Sequence, residues 1–99
     1  MNYNILITDE ALKDLGEIMD YIALDAPDRA ASYVDELLDK IRSLKTMPKR
    51  CAVAPESGRR GYEMRHYLFG RYRIIFTVKD SQVTILRVIH SARLLDPKE

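Results

Sequence analysis

At 99 residues, 46% of them hydrophobic, the chain has the size for one domain, residues 1–99, built around one modest core. Its single cysteine, Cys51, excludes an internal disulfide and fits a reducing compartment. No stretch approaches the roughly 18 apolar residues of a membrane span. The start, Met1 to Thr8, has neither the basic residues nor the long apolar run of a signal peptide, so a cytoplasmic location is expected. The formal net charge of +1 conceals a division: residues 1–49 carry 6 Lys/Arg against 10 Asp/Glu, a net of −4, and residues 50–99 carry 10 against 5, a net of +5. A basic half of this kind suits a polyanion or an acidic partner.

Tyr3 to Thr8 is rich in isoleucine and alternates weakly, which predicts a strand. Thr8 or Asp9 can cap the helix that follows. That helix repeats Ala11, Leu12, Leu15, Ile18, Met19 and Ile22 at three-and-four spacing, with Asp14, Glu17 and Asp20 mostly away from the stripe. Asp25-Ala-Pro27-Asp28 breaks the pattern, and Pro27 suits the first turn of a second helix because its missing N–H has no partner there in any case. The second stripe is Ala30, Val34, Leu37, Leu38, Ile41 and Leu44. A connection this short predicts an antiparallel helical hairpin.

Residues 48–61 hold two prolines, two glycines and four basic residues around Glu56, and read as a loop of 14 residues. Three apolar strands close the chain, with turns at Gly70 and at Lys79-Asp-Ser-Gln82. The predicted fold is α+β: an N-terminal strand at the sheet edge, a helical hairpin, then a three-stranded antiparallel meander covered on one face by the helices.

Alternation along the strands predicts which side chains meet. Tyr72, Ile74, Phe76 and Val78 take the helix-facing side. A turn centred on Gly70 pairs Tyr67 with Arg73 and Arg65 with Ile75, and Val78 opposite Val83 sets Arg71 against His90. This register gathers Arg65, Tyr67, Arg73 and His90 on the outer face and turns His66 toward the helices. Two arginine forks, a stackable ring and a histidine on one strand face suit a phosphate and a base. Two histidines and one cysteine lack zinc-ligand spacing, no glycine-rich nucleotide loop is present, and Ser57 and Ser91 lack a nucleophile-elbow context. Lys49 and Arg50 beside Cys51 could lower its pKa.

In order and spacing the chain resembles the RelE/ParE superfamily of toxins from type II toxin–antitoxin modules, the plasmid stabilisation family. The likeness rests on Asp9-Glu-Ala-Leu-Lys-Asp-Leu15, Pro27 before the second helix, Pro55-Glu56 in the loop, Tyr72-Arg73-Ile-Ile-Phe76, and Val88-Ile-His90-Ser-Ala-Arg93. The resemblance implies a toxin held inactive by a cognate antitoxin whose C-terminal segment wraps it, with operator DNA bound through that antitoxin. It leaves two targets open. A RelE-like toxin cuts mRNA on the ribosome without a metal or other cofactor. A ParE-like toxin poisons DNA gyrase without being an enzyme.

Under the ribonuclease reading, the resemblance implies that Arg73 stabilises the phosphorane, Arg93 serves the leaving oxygen and Arg65 adds a cation. It also implies that Glu56 and His90 stand near the base and acid positions of some branches. The chain departs from the RelE pattern in two places. The strand before the turn offers Glu63, Met64 and Arg65 where lysines are usual, and nothing after His90 is aromatic.

Overall fold

The computed structural model describes residues 2–95. In chain order it contains β1 (Asn4–Ile7), α1 (Asp9–Asp25), α2 (Pro27–Ser43), a short 3-10 turn (Pro48–Arg50), β2 (Ala52–Val53), β3 (Arg65–Phe69), β4 (Tyr72–Lys79) and β5 (Gln82–His90). The strands form one sheet in the order β1-β5-β4-β3-β2. The α+β architecture, the helical hairpin and the terminal meander are as the sequence predicts. The sheet is mixed, however: β1 lies parallel to β5, with Ile5 beside Val83 and Ile7 beside Ile85, while every other pairing is antiparallel. The stretch expected to be a 14-residue loop also contributes structure, since Ala52 and Val53 pair with His66 and Arg65 and extend the sheet by one short edge strand.

Thr8 joins the layers. Its hydroxyl accepts the Ala11 N–H at 3.2 Å, capping α1, and donates to the carbonyls of Ile85 at 2.8 Å and Leu86 at 3.0 Å. Asp9 and Glu10 add favourable charge to the first turn. Pro27 stands at the start of α2, and Lys40 and Arg42 in its last turn complement the opposite end of the dipole.

The helices bury Ala11, Leu15, Ile18, Val34, Leu37 and Ile41 against Ile74, Phe76, Val83, Ile85 and Val88. Each fully buried aliphatic or aromatic side chain contributes about 1.5–3 kcal/mol. That exceeds an exposed ion pair such as Arg42–Asp39, for which about 0–1 kcal/mol is typical, so burial dominates the layer contact. The stripe on α1 is rotated from its predicted position. Leu12 and Met19 are exposed, whereas Asp14 is buried. Asp14 accepts from Arg87 Nε at 2.7 Å and Nη2 at 3.0 Å, and from the Val88 N–H at 2.9 Å, so its carboxylate is satisfied by the strand it packs on.

Both hairpin turns have two residues. Phe69 pairs with Tyr72 around Gly70-Arg71, and Lys79 pairs with Gln82 around Asp80-Ser81. Gly70 has φ +58°, and a Cβ built there would lie 2.5 Å from the Tyr33 hydroxyl. Both the backbone and the contact therefore favour glycine. Gly70→Ala is expected to lower stability by about 1–2 kcal/mol, read from the urea midpoint, with the fold retained by circular dichroism.

Candidate functional site

The turn sets the geometry of the site. Because it spans Gly70-Arg71 and is not centred on Gly70, Arg73 stands opposite Leu68, Tyr67 opposite Ile74, and Arg65 opposite Phe76. This one-residue difference from the predicted register exchanges the faces of β3. Arg65 and Tyr67 turn to the helix side, and His66 joins Arg73 on the outer side. A β-bulge makes the second correction. Ile75 pairs with Arg87 and Phe76 with Ile85, leaving Leu86 as the extra residue. The Val78–Val83 pairing is as predicted, but beyond the bulge His90 falls opposite Tyr72 in place of Arg71. His90 is exposed and packs edge-on to Tyr72 at 6.0 Å, away from the outer face of Arg73.

Of the five residues singled out from the sequence, the structure brings together Arg73, Glu56 and the backbone of Arg93. Arg73 is 2% exposed and Glu56 1% exposed. Arg73 Nη1 donates to Glu56 Oε1 at 2.9 Å, and Nη2 donates to Glu56 Oε2, a two-pronged pair. Nη2 also donates to the Arg93 carbonyl at 2.6 Å, and Nη1 meets His66 Nδ1 at 3.2 Å. The Leu95 N–H completes the carboxylate by donating to Oε2 at 3.0 Å. Ala54, Met64, Ile75, Ile89 and Leu95 form a second, smaller core on this outer face.

The other candidates lie elsewhere. Arg65 donates from Nη1 to the carbonyls of Cys51 at 2.6 Å and Lys49 at 3.3 Å, and from Nε to Glu63 at 3.0 Å; it ties the connection before β2 to β3. The Arg93 side chain is exposed. His66, assigned from the sequence to the helix side, is the missed member of the network. Its place beside Arg73 follows from the alternation once the two-residue turn is recognised.

Charge follows this geometry. Burial alone would raise the Glu56 carboxyl. The hydrogen bonds from Arg73 and the Leu95 N–H, together with the Arg73 charge, outweigh it and hold the group at about 2. Burial first, and then the Arg73 charge, lower His66, so its ring is neutral and Nδ1 accepts from the guanidinium. Cys51 differs from expectation: burial raises its thiol despite the nearby Arg50 and Arg65, so it is not an activated thiolate. Among the described residues, no group of three or more His, Cys, Asp and Glu side chains is placed to hold a metal ion, and no helix is long and apolar enough to cross a membrane.

Comparison with known proteins gives this geometry its context. Residues 5–95 match the family model described as the ParE toxin of the type II toxin–antitoxin system parDE. The chain belongs to the ParE toxin family. Among solved structures, this ParE-family chain is similar to a chromosomal ParDE toxin–antitoxin system from P. aeruginosa. The TM-score is 0.74 at 20% identity, covering 89% of this chain and 95% of the other. It is also similar to the RelBE2 toxin–antitoxin complex from Mycobacterium tuberculosis, with a TM-score of 0.59 at 24% identity, covering 91% of this chain and 99% of that one. At these identities the likeness establishes a shared fold. No curated protein matches the sequence significantly.

The buried network makes stability depend on acid. Folded His66 resists protonation relative to its ordinary 6.5, so its contribution is complete above that value and falls as the pH drops through it. Glu56 contributes fully above its ordinary 4.5 and loses that contribution as the pH falls toward 2. Urea midpoints are expected to fall in two stages on acidification, and Glu56→Gln removes the second stage. At neutral pH, Arg73→Ala strands a buried carboxylate and is expected to cost about 3–5 kcal/mol. The double change Arg73→Met, Glu56→Leu recovers most of that loss.

Proposed function

We propose that this ParE-family toxin acts by binding its target without cutting RNA, and that the target is DNA gyrase. The observation that carries this reading is the enclosure of Arg73 and Glu56. An arginine that is 2% exposed and bonded to a carboxylate, a carbonyl and an imidazole has no face left for a scissile phosphate. A carboxylate held at about 2 by that arginine is too weak a base to take a proton from a 2′-hydroxyl near neutral pH. Arg65 is committed to backbone carbonyls on the helix side, and His90 stands beside Tyr72 at the far end of β5. General acid, general base and phosphate clamp therefore do not converge on one accessible surface, as a ribonuclease requires.

The family match supports the same direction. The partner that restrains the toxin is a cognate antitoxin. A segment combining acidic and apolar residues is complementary to the basic second half of the chain and to exposed side chains such as Leu68 and Val53.

Two assays with the purified protein decide between the targets. In a gyrase supercoiling assay, the toxin is expected to inhibit supercoiling and trap cleaved DNA, and the antitoxin is expected to reverse this. On programmed ribosomes a labelled message is expected to remain intact. Cleavage within the A-site codon, with gyrase unaffected, would sink the proposal in favour of the ribonuclease reading.

A further inference from the structure

The Arg73 network has the composition of an anion-binding site, with one of the protein's own carboxylates in the ligand's place. A tetrahedral oxyanion is recognised by a guanidinium fork, a backbone N–H and a neighbouring ring nitrogen. All three are present: Arg73 Nη1 and Nη2 contact the two oxygens of Glu56, the Leu95 N–H donates to Oε2 at 3.0 Å, and His66 Nδ1 lies 3.2 Å from Nη1. The fit is incomplete in one respect. Arg73 Nε is buried and has no hydrogen-bond partner among the described residues. A planar carboxylate has two oxygens for this cluster of donors, whereas a phosphate has more and can reach a further N–H.

From this arrangement we infer that Arg73, His66 and the Leu95 N–H form an oxyanion seat that Glu56 fills in cis. The ligand class is inorganic phosphate or a phosphate group of a nucleic acid, and the resting toxin is closed to both by its own carboxylate. The inference deepens the proposed non-catalytic action, because it names what occupies the arginine that would otherwise face a phosphate.

Two features show how the seat can be opened. Glu56 belongs to neither β2 nor β3; it lies on the connection between them, held by Ser57 N–H to the Ala54 carbonyl at 2.9 Å and Met64 N–H to Ser57 Oγ at 2.9 Å. Opposite, His66 is half-buried and lines a hollow of about 330 Å³ with Arg50, Cys51, Ala52, Tyr67 and Leu68. The seat is thus one side chain from solvent on the β2–β3 side, and its occupant is carried by a segment outside the sheet.

The test uses thermal unfolding and phosphorus NMR with inorganic phosphate as the probe and chloride at matched ionic strength as the control. Glu56→Ala is expected to be less stable than the wild type and to be rescued by phosphate. Above the dissociation constant, each tenfold rise in phosphate raises its ratio of folded to unfolded protein about tenfold. The wild type and the double variant Glu56→Ala, Arg73→Met are expected to respond to phosphate no more than to chloride. Glu56→Asp, which retracts the carboxylate by one methylene, is expected to respond weakly. If Glu56→Ala is unfolded in buffer, recovery of the folded signal on adding phosphate supports the seat, and recovery by chloride alone overturns it.

Equal phosphate responses in the single and double variants also overturn it. A short single-stranded oligonucleotide added to Glu56→Ala distinguishes the sources: binding places the seat within reach of a nucleic-acid backbone, and phosphate response alone restricts it to free anions. The gyrase and ribosome assays are made on the wild type, so failure of the proposed target leaves the phosphate result intact, and the reverse holds equally.

Discussion

An arginine enclosed in a domain of this size must be neutralised where it stands, and much of the outer half of the structure follows from meeting that demand. The Glu56 carboxylate answers the charge, the Arg93 carbonyl takes a further N–H, and the Leu95 N–H satisfies the carboxylate in turn. Those contacts fix three segments distant in sequence: the connection after β2, strand β4, and the turn beyond β5. Removing one partner is costly because the other remains buried and unanswered. The small apolar cluster of Ala54, Met64, Ile75, Ile89 and Leu95 packs on the same face as the ionic centre. The helix side has no such knot and is held by ordinary burial of aliphatic residues.

Much of this architecture was legible in the sequence, since the two helical stripes, the short connection at Pro27 and the alternation in β4 each have a strong period. The details of the site were harder to read because they depend on offsets of a single residue. Centring the first turn on Gly70 and using Gly70-Arg71 as a two-residue turn predict opposite faces for Arg65 and His66. Nothing in the residue types separates the two before the strands are paired. The bulge at Leu86 is similarly silent, because Leu-Arg-Val reads as regular strand. Its reason appears only in three dimensions, where Asp14 of α1 engages both Arg87 and the Val88 N–H. Asp14 itself looked like a solvated position because the helical period was judged from apolar residues alone.

The family assignment and the chemistry are therefore separate results. Residues 5–95 carry the signature of ParE toxins, and the fold agrees with toxins from two toxin–antitoxin systems. Yet a motif such as Tyr72-Arg73-Ile-Ile-Phe76 does not say whether its arginine faces solvent. The same side chain can clamp a substrate or anchor a loop, depending on whether an acidic residue nearby in space is free to reach it. Glu56, from the segment before β3, reaches it here.

The parallel pairing of β1 with β5 has a consequence for the order of events during synthesis. Thr8 must find the Ile85 carbonyl, 77 residues further along, before α1 is capped and the first strand is seated. Until residues 82–85 leave the ribosome, β1 has no partner, and β4 lacks the neighbour that fills the centre of the sheet. The helical hairpin can form early from local contacts, but the sheet closes only as a late, long-range step. A nascent chain is therefore without its finished surface for most of its translation, which gives a cell a built-in delay between making such a toxin and meeting its folded form.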